Sequence, residues 1–130
     1  MIMLRAKPGD RHRESEMAII ISGWMDFDVD DVSEIIATAK EHIEGAYTEN
    51  GCIHYIWTKD VLVPSRIHVY EEWAETADLQ YHFDNHWYRD MGAHLRKYPR
   101  KDSKVRKFRV DLIEPVYDPS GKPRADFFTA

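Results

Sequence analysis

The chain has 130 residues, one cysteine and a formal charge of −5, which fits one domain with a core of its own. A single cysteine forms no disulfide within one chain, which points to a reducing compartment, most simply the cytoplasm. The mildly acidic balance argues against a nucleic-acid binder, and no apolar run approaches the roughly 20 residues that a membrane helix needs.

Residues 1–16 read as a mobile leader: polar, interrupted by Pro8-Gly9 and without the apolar stretch of a signal peptide. A domain is expected over 17–114. It opens with Met17–Met25, β-branched and apolar, as a buried strand. A helix follows, capped by Asp30 or Asp31, with Val32, Ile35, Ile36, Ala39 and Ile43 on one stripe. Asn50-Gly51 ends it. Cys52–Lys59 and Arg66–Trp73 read as paired strands, with Pro64 in the short connection between them. A second helix starts after Trp73, puts Leu79, His82, Phe83, His86 and Trp87 on one face, and breaks near Asp84-Asn85. Pro99 stops it, and Val105–Glu114 alternates as a last strand. The tail, 115–130, is irregular.

The order β-α-β-β-α-β predicts an α+β fold, a ferredoxin-like antiparallel sheet with helices on one face. One hairpin face, Ile53, Tyr55, Trp57, Ile67, Val69, Glu71 and Trp73, is apolar except for Glu71. The other, carrying Cys52, His54, Ile56, His68 and Tyr70, is mixed rather than charged. That two-sided pattern predicts a sheet-to-sheet homodimer.

Three stretches then stand out: Gly51-Cys52-Ile53-x-Tyr55, Tyr70-Glu71-x-Trp73 and Leu79-x-x-His82-Phe83. Together they resemble the antibiotic biosynthesis monooxygenase family, over roughly Met17–Glu114. The resemblance implies a small dimeric α+β barrel. It also implies a choice of activities: cofactor-free oxygenation of electron-rich phenols or quinols, haem degradation, or isomerisation of a small phosphorylated dione. The haem-degrading branch carries an Asn on its first strand. Here that strand reads Ile19-Ile20-Ile21-Ser22-Gly23-Trp24, His82 fills the position of the helix Trp, and His94 lies only near the ligand position. The haem reading is therefore demoted.

The resemblance also places a histidine at His82, facing the sheet. An imidazole in an apolar cleft removes a phenolic proton near neutral pH, and the phenolate then reduces O2 with no metal or cofactor. The competing reading is a hydrogen-bonded core residue. Glu71 needs a partner if buried, and a histidine of the second helix is the candidate it would orient. His54 and His68, with Tyr70 on the same face, are candidates for contact with a substrate or a partner subunit. His86 and Trp87 are candidate pocket walls. His82 and His86 have i, i+4 spacing but no third ligand, so no metal is expected. The basic run Arg96–Arg109 could attract an anionic substrate, or simply be solvated. It interleaves no stacking aromatics, which again speaks against nucleic acid.

The leading expectation is thus a homodimeric, cofactor-independent monooxygenase-like enzyme acting on a small aromatic. The alternatives are an isomerase of a small anionic carbonyl compound and a non-catalytic small-molecule-binding barrel.

Overall fold

The computed structural model describes residues 17–130; the leader expected over 1–16 lies outside the described residues. Four strands and four helical segments follow one another: β1 (Ile19–Phe27), α1 (Ser33–Ala37), α2 (Lys40–Tyr47), β2 (Cys52–Lys59), β3 (Arg66–Trp73), α3 (Thr76–Asp84), α4 (His86–Leu95) and β4 (Arg100–Arg109). The strands form one antiparallel sheet in the order β2-β3-β1-β4. This is the ferredoxin-like α+β arrangement that the element order predicts.

Local chemistry explains most boundaries. Asp31 accepts a hydrogen bond from the Ser33 N–H at 2.7 Å and so steadies the first turn of α1. The apolar stripe from Val32 to Ile43 does not run on one unbroken helix. It divides at Thr38-Ala39 into α1 and α2. Gly51 takes φ +80° between α2 and β2, where an L side chain is strained, and Asp78 packs on the space where its Cβ would lie. Asn85 separates α3 from α4. Its extended backbone ends one helix, and its side chain accepts the His86 N–H of the next.

The last strand lies five residues earlier than Val105–Glu114. The alternation of Phe108, Val110 and Leu112 is real, but pairing decides the bounds. β4 is held by β1, and β1 begins at Ile19, opposite Arg109. One further bond, from Val110 N–H to Ala18 O at 2.9 Å, closes the ladder. Beyond it the tail folds on itself: Tyr117 bridges Pro123, Arg124 pairs with Asp118 and Asp126, and Glu114 accepts from the backbone of Phe128 and Thr129.

The helices pack on one face of the sheet. Ile19, Ile21 and Phe27 of β1, Ile67 and Trp73 of β3, and Tyr55 of β2 meet Ile35, Leu79, Met91 and Leu95 in one core. Trp73 is fully buried. The opposite sheet face is uncovered in the single chain: His54, Ile56 and His68 are exposed there, as is Phe108 of β4. Cys52 does not belong to that face. The register shifts between Cys52 and His54, so Cys52 stands opposite Trp73 and packs against the core.

Trp87 pins α4 to α2. A Cβ on Gly45 would lie 2.1 Å from an atom of the Trp87 ring, so only glycine permits this approach. Gly45→Ala is expected to lower stability by about 1–3 kcal/mol through overpacking, read as a lower midpoint in urea unfolding. A variant as stable as the parent would mean that α2 and α4 do not meet this closely.

Candidate active site

The helical layer stops short of the last strand of the sheet. α1 and α2 lie on β2, and α3 lies on β3, while every residue of β4 is exposed. Between α3–α4 and the sheet a cavity of about 1040 Å³ remains, at the upper end of the range for small-molecule sites. Ile21, Val69 and Val105 form its floor, and Tyr55, Trp57, Phe83 and Tyr88 form an aromatic wall. Arg96, Arg100 and Lys107 line it toward β4.

Glu71 is the one acid of this lining. Strand alternation turns it toward the helices with Val69 and Trp73, and it is 7% exposed. Trp73 Nε1–H donates to its Oε1 at 2.9 Å. No cation pairs with it among the described residues. Burial pushes the carboxyl up to about 7, against the hydrogen bond from Trp73, and the charge of Glu49 adds to the rise. Such a group exchanges its proton near neutral pH.

His82 is placed differently from the expectation. It does not pair with Glu71. Its Nδ1 lies 2.6 Å from Glu49 Oε1, and the two side chains are 1% and 2% exposed. A carboxylate acceptor at this distance calls for the Nδ1–H tautomer. Asn85 Nδ2–H donates to the other Glu49 oxygen at 2.7 Å. The imidazole packs on Trp73 at 4.5 Å between ring centres and meets Tyr55 and Tyr88 edge-on. It therefore sits behind the aromatic wall rather than in the lining. Burial lowers its proton affinity, while the hydrogen bond and charge of Glu49 act the other way. The correction has a simple cause: Glu49, at the turn after α2, reaches Nδ1 first, and the Trp73 indole occupies Glu71.

The remaining predicted site residues are not gathered here. His86 is exposed, bonded to Asp90 and stacked against Trp87. Its i, i+4 relation to His82 fails as a shared face because Asn85 starts a new helix between them. Trp87 lies against Gly45, between α2 and α4. His54 packs on Tyr70, and His68 bonds to Asp60 at 2.6 Å, all on the uncovered sheet face. His94 is a buried structural residue whose Nε2 lies 2.9 Å from Ile35 O and 3.2 Å from Thr38 Oγ1. Among the described residues no three His, Cys, Asp or Glu side chains come together as metal ligands. Burial pushes the Cys52 thiol up to about 12, so it is a packing group rather than a nucleophile.

Sequence reasoning missed Glu49, and it left Tyr55, Trp57 and Phe83 as packing residues. The signal for Tyr55 and Trp57 was their shared strand parity with Glu71 across the hairpin. Trp57 Nε1 is buried without a hydrogen bond of good geometry, though it lies near enough to the Tyr55 phenol to act on it.

A ferredoxin-like sheet with helices on one face and a half-open cavity beneath them defines a small α+β domain. The profile of the antibiotic biosynthesis monooxygenase family matches residues 19–94, more than half of the chain, and the chain belongs to that family. An uncharacterized protein of Synechocystis sp. is 29% identical over 73 residues, 56% of this chain. The match spans about half the length of that curated relative. Among solved structures, a conserved protein of Methanosarcina mazei superposes with a TM-score of 0.64 at 22% identity, covering 75% of this chain and 97% of the other. A Nitrosomonas europaea protein carrying the antibiotic biosynthesis monooxygenase name gives 0.65 at 13% identity, covering 73% and 91%. Rv0793 of Mycobacterium tuberculosis gives 0.63 at 16%, covering 75% and 97%. At these identities the structural likeness speaks for the fold.

The raised Glu71 carboxyl sets a pH dependence of stability. Its pKa in the folded state, about 7, lies above the ordinary 4.5. The folded chain therefore binds the extra proton, and stability is full below pH 4.5 and lost as pH rises through 7. The loss amounts to about 3 kcal/mol. Glu71→Gln keeps the shape and removes the titration, so the stability difference between variant and parent should grow in the variant's favour from pH 4.5 to 8. Urea unfolding at several pH values measures it; parallel curves would place Glu71 in water.

Proposed function

We propose that the protein is a cofactor-independent monooxygenase-like enzyme that oxidises a small electron-rich aromatic, of quinol or anthrone type, with O2. The observation that carries this reading is a buried carboxylate, without a cationic partner among the described residues, at an aromatic-walled cavity and poised at about pH 7. Glu71 is the base. It takes the proton of the substrate hydroxyl, and the resulting oxyanion raises the electron density of the ring. The anion passes an electron to O2, and the two radicals join to form a carbon-bound peroxide. Loss of water from that peroxide leaves a carbonyl: a CH2 group and O2 become C=O and H2O. The substrate supplies all the electrons, so the step balances without a reductant. The aromatic wall stacks the flat ring and excludes water. Trp57 Nε1–H, a donor the fold does not satisfy well, is the nearby group available to a developing oxyanion.

A second reading of the base rests on the Glu49–His82 pair, since a carboxylate that fixes Nδ1–H leaves Nε2 as the acceptor. It requires Tyr88, 46% exposed, to swing aside, because the imidazole lies behind the wall. An isomerase using the same base on an anionic carbonyl compound, and a binding barrel without turnover, are the other outcomes that experiment must separate.

We place the active form as a homodimer joined through the uncovered sheet face, where Ile56 and Phe108 are 39% and 42% exposed. No helix among the described residues is long and apolar enough to cross a membrane, and the lone thiol fits the cytoplasm. Light scattering reads the dimer directly: a single-chain mass at micromolar concentration would remove it.

Oxygen uptake with hydroquinones and anthrone-like phenols tests the reaction. Glu71→Gln should lower kcat/KM about 10²–10⁴-fold and abolish an ascending pH limb near 7. Retention of that limb in Glu71→Gln, with its loss in His82→Asn, would transfer the base role to His82.

A further inference from the structure

The strand registers put two opposite charges on one line across the cavity. Ile21 of β1 stands opposite Glu71 of β3 on one side and opposite Lys107 of β4 on the other. Directly paired residues share a sheet face, so Glu71, Ile21 and Lys107 form a row under the helices, and all three line the cavity. Two strand spacings separate Glu71 from Lys107, roughly 10 Å. In the next row, Val69–Gly23–Val105, the central position carries no side chain.

The cavity is therefore polarised. The aromatic wall and the carboxylate occupy the β2–β3 side, and the cations occupy the β4 side. Arg96 and Arg100 stand at the α4–β4 connection, where β4 pairs with Phe27, at the other end of the strand from Lys107, and no ion pair among the described residues uses Arg96, Arg100, Arg106 or Lys107. Arg106 leans over Phe108 and Arg100 over Phe27, which leaves Lys107 as the cation on the Glu71 row.

We propose that the substrate is a flat hydroxyarene of at least two fused rings carrying an anionic group, such as a carboxylate, on the edge opposite the reacting hydroxyl. The ring lies over Ile21, the hydroxyl faces Glu71, and the anion meets Lys107. The orientation follows from charge alone. An anion near Glu71 would oppose its ionisation, whereas near Lys107 it forms a charge-assisted contact. This assignment rests on the reading of Glu71 as the base for the hydroxyl; the anion preference can be measured without turnover.

The probes are 6-hydroxy-2-naphthoate and 2-naphthol, one with and one without the far-edge carboxylate. Their dissociation constants are measured calorimetrically on the full chain at pH 7 and low salt. The naphthoate should bind about tenfold more tightly or better, a hydrogen-bonded charge being of that order, and added salt should narrow the gap. Lys107→Met, on an exposed strand, should remove most of the preference by weakening the naphthoate far more than 2-naphthol. Equal affinities for the two probes, or equal weakening of both by Lys107→Met, would overturn the assignment. Oxygen uptake separates the two levels. A Lys107-dependent preference without oxygen consumption would sink the oxygenase reading and leave the ligand class standing. Oxygen consumed as fast with 2-naphthol as with the naphthoate would do the reverse.

Discussion

The helix layer is displaced toward one edge of the sheet, and the site follows from that offset. Four strands at about 4.8 Å spacing are no wider than two helices about 10 Å across laid side by side, but α1 and α2 lie over β2 and α3 over β3, which leaves β4 bare. Trp73, Ile67 and Tyr55 are buried as a result, while β4 is exposed along its whole length. A fully covered sheet would have had an apolar core up to its last strand and no room for a ligand. Here the core ends over β1, and the uncovered remainder becomes the cavity. The position of Glu71, at the border between the packed and the open part, is what gives the carboxylate a dry environment and still lets a ligand reach it.

Two buried acids show how the fold treats charge. Glu49 is buried among donors: His82 holds one oxygen and Asn85 the other, so its desolvation is offset. Glu71 has one neutral donor, the Trp73 indole, which does not offset burial, and its proton affinity rises. Both acids lie close to the same aromatic cluster, and Glu49 contributes to the rise at Glu71. The pair at Glu49 thus fixes α3 to the turn after α2 and at the same time helps to keep Glu71 protonated below neutrality.

The elements were legible where the pattern is local. β2 and β3 were read with their bounds because period-two alternation, flanked by Asn50-Gly51 and by Pro64, leaves little choice. The break at Asn85 was legible from the same turn chemistry. The bounds of β4 were not, since Val110 and Leu112 alternate as a strand should and only the reach of β1 excludes them. The site was legible in part. Glu71 stood out as the single ionisable residue in an apolar row. The partner of His82 was not visible, because Glu49 is 33 residues away in the chain and nothing local marks it. His86 and Trp87 shared a helical face with His82 only while α3 and α4 counted as one helix; the Asn85 cap rotates them away.

An edge strand so basic has a protective meaning as well. Unpaired backbone groups at a sheet edge invite other strands, and Lys or Arg there discourages pairing. That accounts for Lys104 and Arg106, which lie on the uncovered face opposite Trp24 and Ser22. It accounts less well for Lys107. A guard against edge pairing works from either face, yet Lys107 stands on the side that carries the cavity, level with Ile21 and in line with Glu71. With an apolar floor between them, a cation and a carboxylate two strands apart do not neutralise one another by contact. They remain two separate poles, and a rigid ligand that meets both is held along one direction only.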